Sequence, residues 1–242
     1  MFAVGPTFFS SPSGGGDHPP GDGLTRLQTA FAGASSADIS SYAIGSGTNT
    51  GGTVHDGYYE VDINSGSLKN LAWVNSGLAK NTGQKYTFEI FFEVIEVTGN
   101  RNSAVGLFDA VMFLTAGMQA SMNGYGGAVP LANEFAYSDT INGGHTYVGS
   151  TDLPASSPAI HHFALSVAAD ATYSVYLDSS RILGPVAGTD FAHTSGSVSI
   201  GGVSASGEST RLKVYGVRVR RDQMYTGASF VPLSGPEVWG PP

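Results

Sequence analysis

The stretch HHFALSVAADATYSVYLDSSRIL, residues 161–183, decides the fold. Over residues 162–167, Phe163, Leu165 and Val167 alternate with His162, Ala164 and Ser166. Over residues 172–177, Tyr173, Val175 and Leu177 alternate with Thr172, Ser174 and Tyr176. Side chains on a strand point to opposite faces with period two, so both runs read as strands with one face for a core and one for solvent. The spacing therefore predicts Phe163, Leu165, Val167, Tyr173, Val175 and Leu177 packed inward. Asp170 marks the polar break between the runs, and Asp178-Ser179-Ser180 turns the chain into a third strand starting Arg181-Ile182-Leu183. Breaks this short favour antiparallel neighbours, because a parallel return needs a long crossover.

The same period recurs on both sides. Residues 58–63 put Tyr59, Val61 and Ile63 on one face, and residues 71–74 form a short run with Trp73. Residues 84–98 are the longest apolar strand: Tyr86, Phe88, Ile90 and Phe92 alternate with Thr87, Glu89 and Phe91. The Phe91-Phe92 doublet predicts a bulge or burial of both faces. Residues 105–118 fit two strands split at Asp109 better than a buried helix, given the β context. Asn123-Gly124 is a hairpin signal, and Asn142-Gly143-Gly144 lies between short strands at 135–137 and 146–148. Residues 197–200 and 211–219 are further strands. Residues 24–31 (LTRLQTAF) set Leu24, Leu27, Gln28 and Phe31 near one helical face and predict a two-turn helix needing tertiary support. The expected fold is all-β: an antiparallel two-sheet jelly-roll sandwich over residues 57–222. A connecting segment with the short helix (24–56) and an arm with a Gly/Pro linker (1–23) precede it, and an extended tail (223–242) follows.

Residues 161–165 and 175–183 resemble, in order, the "WHHVAL" strand and the "LYVDGxLV" hairpin of concanavalin A-like sandwiches, especially laminin G-like domains. Residues 212–219 (LKVYGVRV) resemble that family's closing strand. Ile160 stands where the family has tryptophan, and Ser179 where it has the turn glycine. The resemblance implies a fold that hosts lectins, glycanases and adhesion modules. Such modules are also found on phage heads and tails.

Composition narrows the classes. Charged residues are 12%, about half the usual share, and 34 glycines suit short strands joined by tight turns rather than helical bundles. Eleven Lys and Arg against 19 Asp and Glu give a net charge of −8, and the only basic cluster is Arg218, Arg220 and Arg221. A nucleic-acid partner would need a basic stripe, so none is expected. The absence of cysteine excludes disulfides, thiolate metal sites and a cysteine nucleophile. The first residues, MFAVGPTFFSSPSGGG, lack the charge and apolar run of a secretory signal, and no stretch reaches a spanning helix's ~20 apolar residues. These features imply action inside the cell or exit by another route, such as assembly into a particle; the expectation is a virion location, without membrane insertion.

Glu60, Asp62 and Asn64 share one strand face, as in the "ExDxE" strand of laminarinase-type glycanases in the same superfamily. The last glutamate of that motif, or of its longer "ExDxxE" form, falls on Asn64 or Ser65, and neither can serve as the second carboxyl that retaining hydrolysis requires. Glu89, Glu93 and Glu96 read as a polar rim on a half-buried sheet. His161 and His162 point to opposite faces, and the six histidines show no zinc spacing. Calcium, common in the superfamily, would draw on Asp109, Asp170, Asp178 or Asp190, but no acid-rich loop is present, and no cofactor is expected. No serine-nucleophile elbow or phosphate loop occurs. Exposed aromatic and amide groups suited to a glycan are Asn123 with Tyr125, and Asn142 with His145 and Tyr147.

Phe2, Phe8 and Phe9 form an apolar tip on a flexible linker, and Phe230 and Trp239 are the aromatic anchors of the tail. Both ends are expected to dock on other virion proteins or on copies of the chain, giving a homo-oligomer. The sequence thus reads as a non-enzymatic virion structural or adhesion protein, a phage head-decoration or tail-associated protein in contact with host glycan. The alternative is a carbohydrate-binding module or a degenerate glycan-active enzyme.

Overall fold

The computed structural model describes residues 24–31, 46–64, 69–74, 85–98, 105–108, 118–122, 134–139, 146–152, 160–170, 172–187, 197–202 and 209–239. These form an all-β sandwich in which every ladder is antiparallel. The strands are β1 (Thr25–Thr29), β2 (Ser46–Thr50), β3 (Thr53–His55), β4 (Tyr58–Asn64), β5 (Lys69–Val74), β6 (Tyr86–Thr98), β7 (Val105–Phe108) and β8 (Met118–Met122). They continue as β9 (Glu134–Asp139), β10 (Thr146–Asp152), β11 (His161–Val167), β12 (Thr172–Leu177), β13 (Ser180–Ala187), β14 (Ser197–Gly202) and β15 (Ser209–Arg220). A 3-10 turn follows at Pro236–Trp239.

The main sheet runs β13-β12-β11-β6-β15-β4-β3. β15 gives its first half to β4 and its second half to β1 along the same edge. The other layer consists of two ladders, β10-β9-β8-β7 and β14-β5-β2. β7 runs beside β14, and the layer meets the main sheet where β14 approaches β4 and β7 approaches β15.

One face of the main sheet is the core that the alternation predicts. Phe163, Leu165, Val167, Tyr173, Val175 and Leu177 are all buried. Register sets Leu165 between Phe88 and Val175, and Phe163 between Ile90 and Leu177. Val217 and Val219 continue this face on β15, and Tyr59 and Val61 on β4. The Phe91-Phe92 doublet buries both faces, and a register shift between Val214 and Gly216 lies on β15 opposite it.

Two expectations are corrected. Residues 24–31 are a strand, not a helix: Leu27 pairs with Val219, Gln28 with Arg218 and Thr29 with Val217. Eight residues cannot hold a helix alone, while the free edge of β15 supplies hydrogen bonds and a core site that buries Leu27 completely. Beyond β1, Phe31 adopts a left-handed backbone (φ 55°), held by bonds to Thr29 Oγ1 and Gly57 N, and buries its ring against Tyr59.

The second correction concerns the other sheet face. β11 is buried at all seven positions, so His162, Ala164 and Ser166 do not face solvent. Sequence alternation identifies two faces but not what covers each. Here the cover comes from residues 221–239, a stretch with no strand period of its own.

The β12–β13 hairpin turns through Asp178 and Ser179, with φ of 49° and 72°. Positive φ at both positions is what a two-residue hairpin loop of matching twist requires, and glycine or asparagine meets it most easily. Serine is held there by its surroundings: the Ser179 carbonyl accepts from Phe230 N (3.0 Å). The Asp178 carboxylate accepts from His162 N (2.9 Å) and from His161 Nδ1 (2.8 Å).

Candidate functional site

Strand register assembles the second face of the main sheet. β6 contributes Thr87, Glu89 and Phe91. Ala164 and Arg218 flank Glu89 on the neighbouring strands, and His162 and Gly216 flank Phe91. Tyr176 lies beyond Ala164, and Gln28 beyond Arg218. A carboxylate, a guanidinium, an imidazole and two large rings therefore share one surface.

Glu89 is fully buried and uses both oxygens. Oε2 accepts from Arg218 Nε (2.6 Å) and Nη2 (2.5 Å). Oε1 accepts from the Tyr225 hydroxyl (2.5 Å) and from His162 Nε2 (3.1 Å). Such completeness is what a buried charge requires, since an unpaired one would be neutralised or would unfold its surroundings. Burial pushes the Glu89 carboxyl up, but the His162 hydrogen bond, the Arg218 charge and the Tyr225 hydroxyl together outweigh it and hold it below the ordinary carboxylate value. Burial, then the neighbouring Glu89 charge, drives the Tyr225 phenol far above its ordinary value.

Residues 221–239 close over this surface as a strap. Thr87 Oγ1 donates to Asp222 O (2.7 Å) and accepts from Met224 N (3.0 Å). Tyr225 N donates to Ser166 Oγ (3.3 Å), and Tyr176 OH to Gly227 O (2.9 Å). Ser229 bridges to Ser180. Tyr225 and Phe230 stack on each other (3.9 Å between ring centres), with Tyr176 beside both and His162 edge-on to Phe230. At the far end Trp239 packs on Phe91 (5.3 Å), and the Arg218 guanidinium lies over its ring (4.8 Å). Gly216 makes this approach possible: a Cβ there would collide with Pro236 and press on Trp239.

Towards β3 and β4 the same face is less covered. Tyr215 OH donates to the buried Glu93 (2.6 Å), and Arg211 faces Glu60 at 3.6 Å. Tyr58 stacks with His55 (4.4 Å) and lies under the Lys213 ammonium (4.8 Å).

The residues singled out in the sequence are placed as follows. Glu60 and Asp62 share a face of β4 with Asn64, in register with Lys213, Arg211 and Ser209. Glu60 is engaged by Arg211, and Asp62 is exposed. The polar-rim reading of Glu89, Glu93 and Glu96 fails for two of the three: Glu89 and Glu93 are buried, because the strap and Tyr215 cover them, and only Glu96 is exposed. His161 and His162 do point to opposite faces, and both are buried. Asp170 accepts from Thr172 N (3.0 Å) and Oγ1 (2.6 Å), which hold its carboxyl below the ordinary value. Asp178 is taken up by the two histidines, and no three potential metal ligands converge among the described residues. Phe230 and Trp239, read as anchors for a partner, pack on this chain's own sheet. Tyr147 lies on β10 opposite Ser138. Phe2, Phe8, Phe9, Asp109, Asn123, Tyr125, Asn142, His145 and Asp190 fall outside the described residues.

Sequence reasoning missed Glu89, Arg218, His162 and Tyr225 as a group. A signal existed: Glu89 and Arg218 each sit between apolar residues on long strands, so opposite charges were due on a face with apolar neighbours. Nothing marked Tyr225 as the residue that completes the network.

No family model and no curated protein matches the chain. Among solved structures it is similar to the binding domain of botulinum neurotoxin DC in complex with rat synaptotagmin II, with a TM-score of 0.51 and 6% identity over 75% of this chain and 43% of that one. A botulinum neurotoxin type C structure, described as depending on two ganglioside molecules to enter cells, gives a TM-score of 0.50 and 6% identity over the same shares. Trypanosoma rangeli sialidase in complex with sialic acid gives 0.46 and 15% identity over 74% of this chain and 28% of that one. The chain spans less than half the length of each. What it shares with the two neurotoxin structures, at identities this low, is a β-rich fold.

Proposed function

We propose that this chain is a non-enzymatic structural and adhesion module of a bacteriophage particle, on the head or tail, which contacts glycan at the host surface. Its N-terminal segment docks on virion proteins or on copies of itself. The observation that carries the non-enzymatic reading is the state of the sheet face. Glycoside hydrolysis of the retaining kind needs two reachable carboxyls about 5–5.5 Å apart, one of them able to give a proton. Here the central carboxylate, Glu89, is taken up by the Arg218 guanidinium and held ionised, so it has no proton to give. On the open half, Glu60 pairs with Arg211. The low charge, the absence of cysteine and the Phe-bearing arm support a particle component. The glycan part draws on the fold shared with the type C neurotoxin, whose described ligands are gangliosides.

The test is quantitative mass spectrometry of purified particles, with a polysaccharide panel run in parallel. The expected result is a fixed copy number per particle and no hydrolysis. Absence from particles would remove the virion reading. Turnover abolished by Glu60→Gln would replace it with the glycan-active alternative.

A further inference from the structure

We propose that the sheet surface beneath the strap is itself a saccharide-binding face, and that residues 223–239 hold it shut as a tethered competitor. The proposal rests on the glycan-contact reading above and names its site: Glu89, Phe91, His162, Tyr176 and Arg218.

Two features of the covered face argue for a ligand surface rather than a second core. The first is its chemistry. A face built only to be buried is served as well or better by apolar side chains, because a buried ion pair seldom improves on them. This face instead carries a carboxylate, a guanidinium and an imidazole between two rings. The second is the manner of cover. The strap forms one isolated bridge to the sheet, at Ser229, and otherwise meets it through side chains and single hydrogen bonds. Its Tyr225 hydroxyl reaches the carboxylate, its Tyr225–Phe230 pair covers Tyr176, and its Trp239 ring covers the guanidinium. A hydroxyl on a carboxylate with flat apolar surface over rings is what a pyranose offers.

Charge selects the ligand class. Glu89 and Arg218 neutralise each other at 2.6 Å. An anionic sugar would meet the carboxylate and a cationic one the guanidinium, so the face suits a neutral saccharide whose hydroxyls bridge the two. Release has a defined weak point at Gly216, where any side chain strikes Pro236 and Trp239.

The experiment compares the intact chain, a chain ending at Asp222, and full-length Gly216→Val. Each is titrated calorimetrically with neutral gluco-, manno- and galacto-configured hexasaccharides, and with an acidic uronate hexamer as control. At least tenfold tighter binding of one neutral hexamer by both released forms is expected, with no gain for the uronate. A synthetic peptide of residues 223–239 should compete with the hexamer on the truncated chain. Released forms that stay folded but bind no better than the intact chain overturn the proposal. So does a truncated chain that cannot stay folded, since the strap is then part of the core. Binding by the intact chain with no gain on release leaves the glycan reading standing and removes only this site; no binding by any form removes both.

Discussion

Replacing Glu89 by Ala is expected to cost about 3–5 kcal/mol of stability, measured by chemical denaturation. The loss comes less from the missing contacts than from what stays behind. Arg218, nearly as buried as Glu89, would keep its charge without a counterion, and the Tyr225 hydroxyl would lose its acceptor. Replacing both charges, as in Glu89→Leu with Arg218→Met, should recover most of the loss, because the pair costs desolvation that apolar residues do not. The same carboxylate gives a pH dependence. Its folded-state pKa lies below the ordinary value, so its contribution is fully present above the unfolded value of about 4.3 and is lost as the pH falls through the folded one. Glu89→Gln should flatten the acid limb of the stability curve. A Glu89→Ala protein within about 0.5 kcal/mol of wild type would mean that the network is not buried.

Leu165→Ala is expected to cost about 2–5 kcal/mol, since the residue is fully buried between Phe88 and Val175. At about 2–4 °C per kcal/mol for a domain of this size, the melting temperature should fall by roughly 4–20 °C. Ser166, one position along, separates the account from simple alternation. A solvent-facing Ser166 would tolerate alanine without effect. In the structure it is fully buried and accepts from Tyr225 N, so Ser166→Ala should cost about 1 kcal/mol by leaving that amide unpaired. Equal effects at the two positions, or none at Ser166, would contradict this arrangement of faces.

How much of this was legible depended on how local the information was. Alternation over residues 161–183 carried the strands, their order and the inward face, because period two is written in adjacent residues. The helix read at residues 24–31 failed because eight residues carry too little local preference to resist an available strand edge, and that edge lies almost 190 residues away at Val217–Arg220. The second buried face was invisible for a related reason. Its cover, residues 221–239, has no period, and its docking depends on Gly216 being bare and on Ala164 being small beneath Tyr225. Pattern reading shows where a strand's faces are, not which distant segment lies on them. Glu60 and Asp62 stand out in the sequence through a motif, while Glu89, the better-connected carboxylate, reads as rim because a lone acid on a strand usually is one.

The central claim, that the C-terminal strap is bonded to the sheet through the buried carboxylate, is tested most directly by a double-mutant cycle on Glu89→Gln and Tyr225→Phe. The two groups meet at 2.5 Å, and a hydrogen bond to a buried charge predicts a coupling energy of about 1–3 kcal/mol. Additivity within about 0.5 kcal/mol would show that Tyr225 does not reach Glu89 and that the strap lies elsewhere.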